Sequence, residues 1–291
     1  MLNALRQLFS SPEEEVDPGD GKITLADVLQ RRGWFELWYQ PKIELKTMRL
    51  AGAEALVRAR HPTRGVLPPG VFLPGASEAD MMALTERVIV TAMKDWNDCF
   101  ENGMSLKLAV NVPVSAFVNL PISEMVREGR PKAANWPGLI LEVTEDEIIH
   151  DLKLANDIAE QLHASKCTLA LDDFGAGYSS IARLRQLPFD ELKIDRAYVT
   201  DCNSDRVNAG LCEVFVELAK RFGLKTVAEG IETTHEAHKL QALGCDIGQG
   251  YLYAKPMSKA QLIALLRKRM GLAAPQPRRS RGFLLPGFSK G

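Results

Sequence analysis

Short apolar runs alternate with longer amphipathic segments along most of the chain, a pattern typical of strands that alternate with helices. The apolar runs lie at residues 35–40, 49–59, 106–112, 139–145, 168–173, 191–195, 226–229 and 246–251. Helical patterns occupy residues 25–32, 79–100, 153–165, 179–187, 206–222, 234–243 and 258–269. Eight strands with helices between most of them, over about 245 residues, predict an α/β fold of the (β/α)8 or TIM-like barrel type.

The first two apolar runs predict a hairpin-like opening of this barrel. Pro41 is expected to break the first strand, and the second strand follows about ten residues later. In the second strand, alternation places Gly52, Glu54 and Arg58 on one face. Glu54 is then embedded in an apolar strand, where an unpaired carboxylate is unfavourable, so this residue needs a partner.

The composition fits one barrel-sized domain, with 46% hydrophobic and 25% charged residues in a chain of 291. We expect this domain at residues 22–270, between a flexible lead-in at residues 1–21 and a flexible basic tail at residues 271–291. No apolar run is long enough to span a bilayer and no secretory signal pattern opens the chain, so we expect a cytoplasmic protein.

Charge and cysteine content exclude further classes of function. A net charge of −1 argues against bulk nucleic-acid binding. The five cysteines are an odd number without a C-x-x-C pair, which predicts packing residues and neither disulfides nor a zinc site.

Seven of the predicted strands carry a polar side chain that is able to bind a metal or to move a proton. These residues are Glu54, Asn111, Glu142, the adjacent pair Asp172 and Asp173, Lys193, Glu229 and Gln249. Because the active groups of a (β/α)8 barrel gather where its strands end, we expect these side chains to meet at one face. The small residues two positions before three of them leave room beneath the cluster, namely Gly52, Ala109 and Ala170.

The pair Asp172 and Asp173 admits two interpretations when it is considered alone. Adjacent carboxylates repel each other and resist burial, so they persist either in a solvated loop or with a cation between them. A divalent metal is such a cation. The coincidence of polar groups on seven strands favours the metal site over the solvated loop.

Eight short motifs in this chain occur in the same order in one known family. They are Y-Q-P (39–41), G-A-E-A-L-V-R (52–58), V-N (110–111), L-E-V-T-E (141–145), D-D-F-G-A-G-Y-S-S (172–180), L-K-I-D-R (192–196), A-E-G-I-E (228–232) and Q-G-Y (249–251). The chain resembles the EAL-domain phosphodiesterases of bacteria, which hydrolyse the second messenger cyclic di-GMP. The resemblance implies a modified barrel whose first strand runs antiparallel, in agreement with the hairpin-like opening.

The resemblance also implies a metal site and a set of catalytic residues. One divalent cation is expected on Glu54, Asn111, Glu142 and Asp172, and a second on Asp172, Asp173 and Glu229. Oxygen ligands suit Mg²⁺ or Mn²⁺. Lys193 is the expected activator of the attacking water or, alternatively, the group that neutralises charge on the phosphate. Glu54, Asp173 and Glu229 are expected to share the catalytic role.

Further residues are assigned to substrate and assembly by the same resemblance. Gln40, Arg58 and Gln249 are expected at the substrate or its edge, and Glu145 is expected to steady the loop after Asp173. The expected product is linear pGpG, and the expected assembly is a homodimer, with a regulatory protein partner possible.

Two other functions stay open at this point. One is a non-catalytic cyclic di-GMP receptor that acts through a protein partner. The other, independent of the resemblance, is a different metal-dependent barrel enzyme, such as a lyase with a lysine base. The chain retains the metal ligands and the acidic pair that degenerate members of the family usually lose, which favours the phosphodiesterase.

Overall fold

The computed structural model describes residues 21–101, 103, 105–144, 152–175 and 188–269. The strands in this part are β1 Phe35–Glu44, β2 Leu50–His61, β3 Gly65–Leu67, β4 Lys107–Asn111, β5 Leu139–Thr144, β6 Thr168–Phe174, β7 Glu191–Ile194, β8 Lys225–Ala228, β9 Ile247–Gly248 and β10 Met257–Ser258. The helices are α1 Leu25–Gln30, α2 Pro69–Phe72, α3 Glu78–Glu101, α4 Val114–Asn119, α5 Ile122–Gly129, α6 Leu152–Ala164, α7 Arg196–Val199, α8 Arg206–Phe222, α9 Thr234–Leu243 and α10 Lys259–Arg269.

Eight of these strands close into a barrel, which confirms the predicted fold class. Parallel pairing runs from β2 through β4, β5, β6, β7 and β8 to β9. The barrel closes because β1 pairs with both β2 and β9, and both of these pairings are antiparallel. The first strand therefore runs against the other seven, as expected.

The two additional strands extend the edge of the barrel without entering its ring. β3 pairs with the end of β2, and β10 pairs with Trp38 and Tyr39 of β1. They were not predicted because two or three residues are too few to show an alternating pattern.

The prediction that Pro41 ends the first strand is wrong, since β1 continues through this residue to Glu44. Pro41 pairs with Ala53 of β2. On the opposite edge of β1, the described pairings with β10 stop at Tyr39 and those with β9 begin at Ile43. A residue without an N–H group is tolerated at such a gap in the ladder.

Local sequence signals set the helix boundaries around the barrel. For α9, the Thr233 hydroxyl accepts a hydrogen bond from the Glu236 backbone N–H, and the Glu236 carboxylate accepts one from the Thr233 N–H at 2.9 Å. This capping box begins the helix at the predicted residue. The helix predicted at residues 179–187, the lead-in and the basic tail lie outside the described residues.

The main apolar core lies between the barrel and the surrounding helices, and its members include all five cysteines, which are buried and free as expected of packing residues. The barrel interior is different. Only three buried apolar side chains form a separate cluster there, Ala109, Ile140 and Ala170. Buried charged and polar side chains also face this interior, among them Lys42, Glu142 and Lys193. None of the described helices combines the length and the apolar character needed to cross a bilayer.

Candidate active site

Lys193 of β7 lies at the centre of the polar cluster in the barrel. Its Nζ lies 2.9 Å from Glu142 Oε2, 2.9 Å from Asp172 Oδ1 and 2.7 Å from Glu229 Oε1. The Lys193 side chain is only 1% exposed. One ammonium group therefore holds together carboxylates from β5, β6 and the end of β8.

Glu54 is stabilised by amides instead of an ammonium group. Its Oε1 accepts a hydrogen bond from Asn111 Nδ2 at 2.9 Å, and its Oε2 accepts one from Gln249 Nε2 at 2.5 Å. Gln249 Nε2 also donates to Gln40 Oε1 at 3.1 Å, and Gln40 Nε2 donates to the Ala254 carbonyl. The amides orient Glu54 without cancelling its charge.

Asp172 and Asp173 both reach the site because β6 is irregular between Leu171 and Phe174. In a regular strand, neighbouring side chains point to opposite faces. Here Asp173 takes a left-handed backbone conformation with φ of 55°, and its N–H donates to Asp172 Oδ1 at 2.9 Å. Aspartate tolerates this conformation better than most residues, which is why the sequence permits the bend.

Glu229 is placed by the close turn that follows β8. Its N–H donates to the Ile194 carbonyl at 3.1 Å, which ties it to the end of β7. The next residue, Gly230, has φ of 68°, and a Cβ atom there would overlap the Arg196 side chain. Only glycine fits this position without strain, so the A-E-G sequence fixes the direction of the Glu229 side chain.

The lysines and the carboxylates shift each other's pKa values. Burial opposes ionisation of Glu142, but the ammonium groups of Lys193 and Lys42 outweigh it and lower the pKa of Glu142 to about 2. Burial also opposes the charge of Lys193, yet Asp172, Glu142 and Glu229 together raise its pKa well above the usual value. The Glu142–Lys193 pair is therefore fully charged at neutral pH.

Three carboxyl groups of the cluster, those of Asp173, Glu229 and Glu54, have raised pKa values. Burial, together with the charge of Asp172, raises the pKa of Asp173 to about 7. Burial raises the pKa of Glu229 well above its usual range, although Lys193 acts in the opposite direction. Burial likewise raises the pKa of Glu54. Ionisation of all the carboxyl groups in the cluster would thus leave excess negative charge after both lysines are counted.

The arrangement of oxygen atoms fits a hard divalent cation. Asp172, Asp173 and Glu229 each offer an oxygen, and these atoms all lie within 4.8 Å of one another. The Asn111 Oδ1 atom is buried and accepts no hydrogen bond from any residue that the structure describes. A buried carbonyl oxygen without a donor is unfavourable unless something else binds it. Carboxylate and amide oxygens are the ligands that Mg²⁺ and Mn²⁺ prefer.

A family model described as "EAL domain" matches residues 24–256, which is most of the chain. The chain belongs to the EAL domain family. It is 36% identical over 247 residues to the cyclic di-GMP phosphodiesterase PA2567 of Pseudomonas aeruginosa. The aligned region covers 84% of this chain and 42% of that protein. This EAL domain thus spans less than half of the length of that relative.

Solved structures of similar chains include complexes with nucleotide and metal. The phosphodiesterase PaMucR in complex with c-di-GMP is 36% identical, with a TM-score of 0.74 and coverage of 82% of this chain and 97% of that one. BlrP1 of Klebsiella pneumoniae, in a manganese and cy-diGMP complex, is 26% identical with a TM-score of 0.68, and covers 78% of this chain and 57% of that one.

Two residues predicted for the site do not join the polar cluster around Lys193 in the described part of the chain. Arg58 is buried, but its described hydrogen bond is to the Val57 carbonyl at 2.8 Å, and no ion pair joins it to a described carboxylate. Glu145 lies outside the described residues. Glu54 lies in the interior of β2 and not at its end, because this strand continues to His61. Its pairing with Ala109 of β4 still brings it beside Asn111.

Sequence reasoning missed two charged residues of this EAL domain, Lys42 and Glu191. Lys42 Nζ lies 2.5 Å from Glu142 Oε1 and 4.0 Å from Glu191 Oε2. All three side chains are buried. Lys42 was missed because the first strand was expected to stop at Pro41, so that Lys42 fell outside every predicted strand. An uninterrupted alternation through Pro41 would have placed Lys42 on the same face as Gln40.

Proposed function

We propose that this EAL domain hydrolyses cyclic di-GMP to linear pGpG, by in-line attack of a water molecule on one phosphodiester. The observation that carries the proposal is the buried cluster in which Glu142, Asp172 and Glu229 surround Lys193, beside an Asn111 oxygen that accepts no hydrogen bond within the described part of the chain. The relatives named as cyclic di-GMP phosphodiesterases support the choice of substrate.

Two Mg²⁺ or Mn²⁺ ions are the cofactors of this proposal. Glu54, Asn111, Glu142 and Asp172 would hold one ion, and Asp172, Asp173 and Glu229 would hold the other. When bound, such ions lower the pKa of a coordinated water and offset charge on phosphate oxygens. Glu54 is suited to its role because amides fix both of its oxygens while leaving its charge uncompensated.

Lys193 is better suited to stabilise charge than to take up a proton. Its pKa is raised well above the usual value by Asp172, Glu142 and Glu229, despite burial, so the side chain is an ammonium group at neutral pH. A base must be deprotonated at the working pH, whereas an ammonium group can hold the negative charge that develops on a phosphate oxygen. The contacts of the metal-free site therefore favour the electrostatic role.

Gln40, Arg58 and Gln249 would hold the nucleotide outside the reacting phosphate. Arg58 lies four residues from Glu54 on β2, or about 13 Å along the strand, so it reaches a different part of a dinucleotide. Burial lowers the pKa of Arg58, but a guanidinium remains charged and can donate two hydrogen bonds to one phosphate.

The homodimer of the proposal is supported by an exposed apolar stripe on α8. Val207 and Val214 are 67% and 53% exposed. The half-buried Leu211 and Leu218, which also pack against the core, border these valines because helix residues at spacings of four and seven face the same side. A twofold axis would place two such stripes against each other. We expect Val214→Lys to shift the mass measured by light scattering from dimer to monomer.

One experiment tests the function directly. Wild-type protein is incubated with cyclic di-GMP and either Mg²⁺ or Mn²⁺, and pGpG is measured by chromatography, with calorimetry of cyclic di-GMP binding in parallel. We expect pGpG to accumulate. Tight binding without any pGpG in either metal would contradict the proposal and favour the receptor.

A further inference from the structure

Lys42 extends into the barrel from β1 and carries a buried ammonium group. Its side chain is 2% exposed, and its Nζ lies 2.5 Å from Glu142 Oε1 on β5 and 4.0 Å from Glu191 Oε2 on β7. Neither β5 nor β7 is a neighbour of β1 in the ring. The side chain therefore crosses the interior of the barrel instead of lying along its wall.

The space for this side chain comes from small residues on the barrel wall. Lys42 lies opposite Gly52 in the pairing of β1 with β2. Ala109 and Ala170 belong to the small apolar cluster inside the barrel. These small residues leave room beneath the acidic cluster, and Lys42 reaches Glu142 through that interior.

Lys42 and Lys193 hold the same carboxylate but differ in their other partners. Each oxygen of Glu142 accepts from one lysine, Oε1 from Lys42 and Oε2 from Lys193. The remaining partners of Lys193 are Asp172 and Glu229, both of which the proposed function assigns to metal ions. The other ion-pair partner of Lys42 is Glu191, which that function does not use.

The two lysines are therefore expected to respond differently when a cation binds. The two cations of the proposed function, one on Glu142 and Asp172 and the other on Asp172 and Glu229, would compete with Lys193 for carboxylate oxygens that it now contacts. Glu142 Oε1, which faces Lys42, and Glu191 are not among the oxygens that contact Lys193, so the Lys42 pairs would lie outside this competition. The Lys42 contact can therefore persist in both states of the site.

We propose that Lys42 is a positioning residue, which anchors Glu142 from inside the barrel so that its other oxygen is presented to a divalent cation. The inference rests on the proposed metal-dependent function. Glu142 has three rotatable side-chain bonds, and the hydrogen bond to Lys42 restricts them before the cation arrives. A residue that only filled space would be replaceable by methionine without loss of metal affinity.

The test measures Mn²⁺ affinity without substrate, by calorimetry and by the electron paramagnetic resonance signal of free Mn²⁺. Lys42→Met keeps most of the length of the side chain and removes its hydrogen bonds. We expect Mn²⁺ binding to weaken at least about tenfold, or about 1.4 kcal/mol. The matched control is Lys107→Met, because Lys107 is a part-buried barrel lysine whose ammonium group donates to Thr168 at 2.8 Å and forms no ion pair with Glu142. It should stay within about threefold of wild type.

A second pair of proteins shows whether Lys42 acts through Glu142. In the Glu142→Gln background, adding Lys42→Met should change Mn²⁺ affinity less than about threefold, because the carboxylate that Lys42 anchors is already gone. If Lys42→Met alone does not fold, Lys42→Gln takes its place in both comparisons, because its shorter neutral side chain also lacks the ammonium group, and the same changes in affinity are expected.

The outcomes separate the inference from the function on which it rests. Unchanged or tighter Mn²⁺ binding by Lys42→Met would overturn the inference alone and reduce Lys42 to a structural residue. A tenfold loss that persists in the Glu142→Gln background would overturn it as well. A wild-type protein that binds no Mn²⁺ would overturn the proposed function together with it.

Discussion

Replacement of Asp173 by asparagine should stabilise the metal-free protein at high pH. The Asp173 carboxyl lies beside Asp172, and burial together with that charge raises its pKa from 3.8 to about 7. The folded state thus holds this proton more tightly than the unfolded chain. Its contribution to stability is complete below about pH 4 and is lost as pH rises through 7. Asparagine accepts the same left-handed backbone, so the change adds no strain.

The size of the effect follows from the pKa difference. Three pH units at about 1.36 kcal/mol each give about 4 kcal/mol as an upper bound above pH 7. Asp173 is only partly buried, and screening by solvent reduces this to about 2 kcal/mol. For a domain of this size, that corresponds to a rise in Tm of about 4–8 °C.

Calorimetric unfolding in EDTA at pH 5 and at pH 8 measures this difference. Asp173→Asn should be more stable than wild type at pH 8, and the advantage should shrink at pH 5, where the wild-type carboxyl is protonated. The control is Asp157→Asn, which removes an exposed carboxylate on α6 and should leave Tm unchanged at both pH values.

Two results would refute the reasoning. One is an Asp173→Asn protein that is equal to or less stable than wild type at pH 8, since this would mean that the Asp173 charge is not repelled in the folded state. The other is an equal gain at both pH values. Saturating Mn²⁺ should reverse the order, because the variant loses a proposed ligand and gains less from the ion.

The remaining predictions concern catalysis and are read by the pGpG assay. Chelation by EDTA should abolish turnover, and Ca²⁺ should bind but support little of it, because its longer bonds misplace the water; an unchanged rate in EDTA would contradict the metal requirement. Glu54→Ala should lower kcat by orders of magnitude while circular dichroism shows an intact fold; loss of activity through unfolding would count against a role in the site. Arg58→Ala should raise KM more than it lowers kcat, and a pure kcat defect would assign it to the chemistry. Lys193→Ala should bind cyclic di-GMP within about tenfold of wild type yet turn it over at least about a hundredfold more slowly; equal losses in both assays would contradict the separate roles.

Most of the barrel was predictable because each strand of the ring is an apolar run with few competing signals. Helix α9, for example, occupies the predicted residues because Thr233 and Glu236 form a capping box, and their spacing of three residues in the sequence predicts one. The path of β1 was not predictable in the same way. A strand can continue through Pro41 because the pairings of β1 with β10 and β9 leave a gap at this residue, and partners so distant in sequence produce no local pattern.

The candidate site likewise contains residues whose positions were predictable from the sequence and residues whose positions were not. Glu142, Lys193 and Glu229 stand near the ends of apolar runs, so their convergence followed from the fold class alone. Strand alternation predicts opposite directions for Asp172 and Asp173, and only the irregularity of β6 turns both into the site. The place of Lys42 depended on the path of β1, and the error at Pro41 therefore concealed the second lysine.

The contacts of Lys193 connect the stability of the metal-free barrel to its chemistry. Several buried carboxylates in one cluster would oppose folding, and Lys193 offsets part of that repulsion by pairing with Glu142, Asp172 and Glu229. While those pairs exist, the ammonium group is not available to a phosphate. It becomes available only when its three partners are engaged elsewhere, whereas Lys42 keeps Glu142 in place throughout. An EAL domain built this way would make its charge-stabilising lysine available to the substrate only when the proposed metal ligands are occupied.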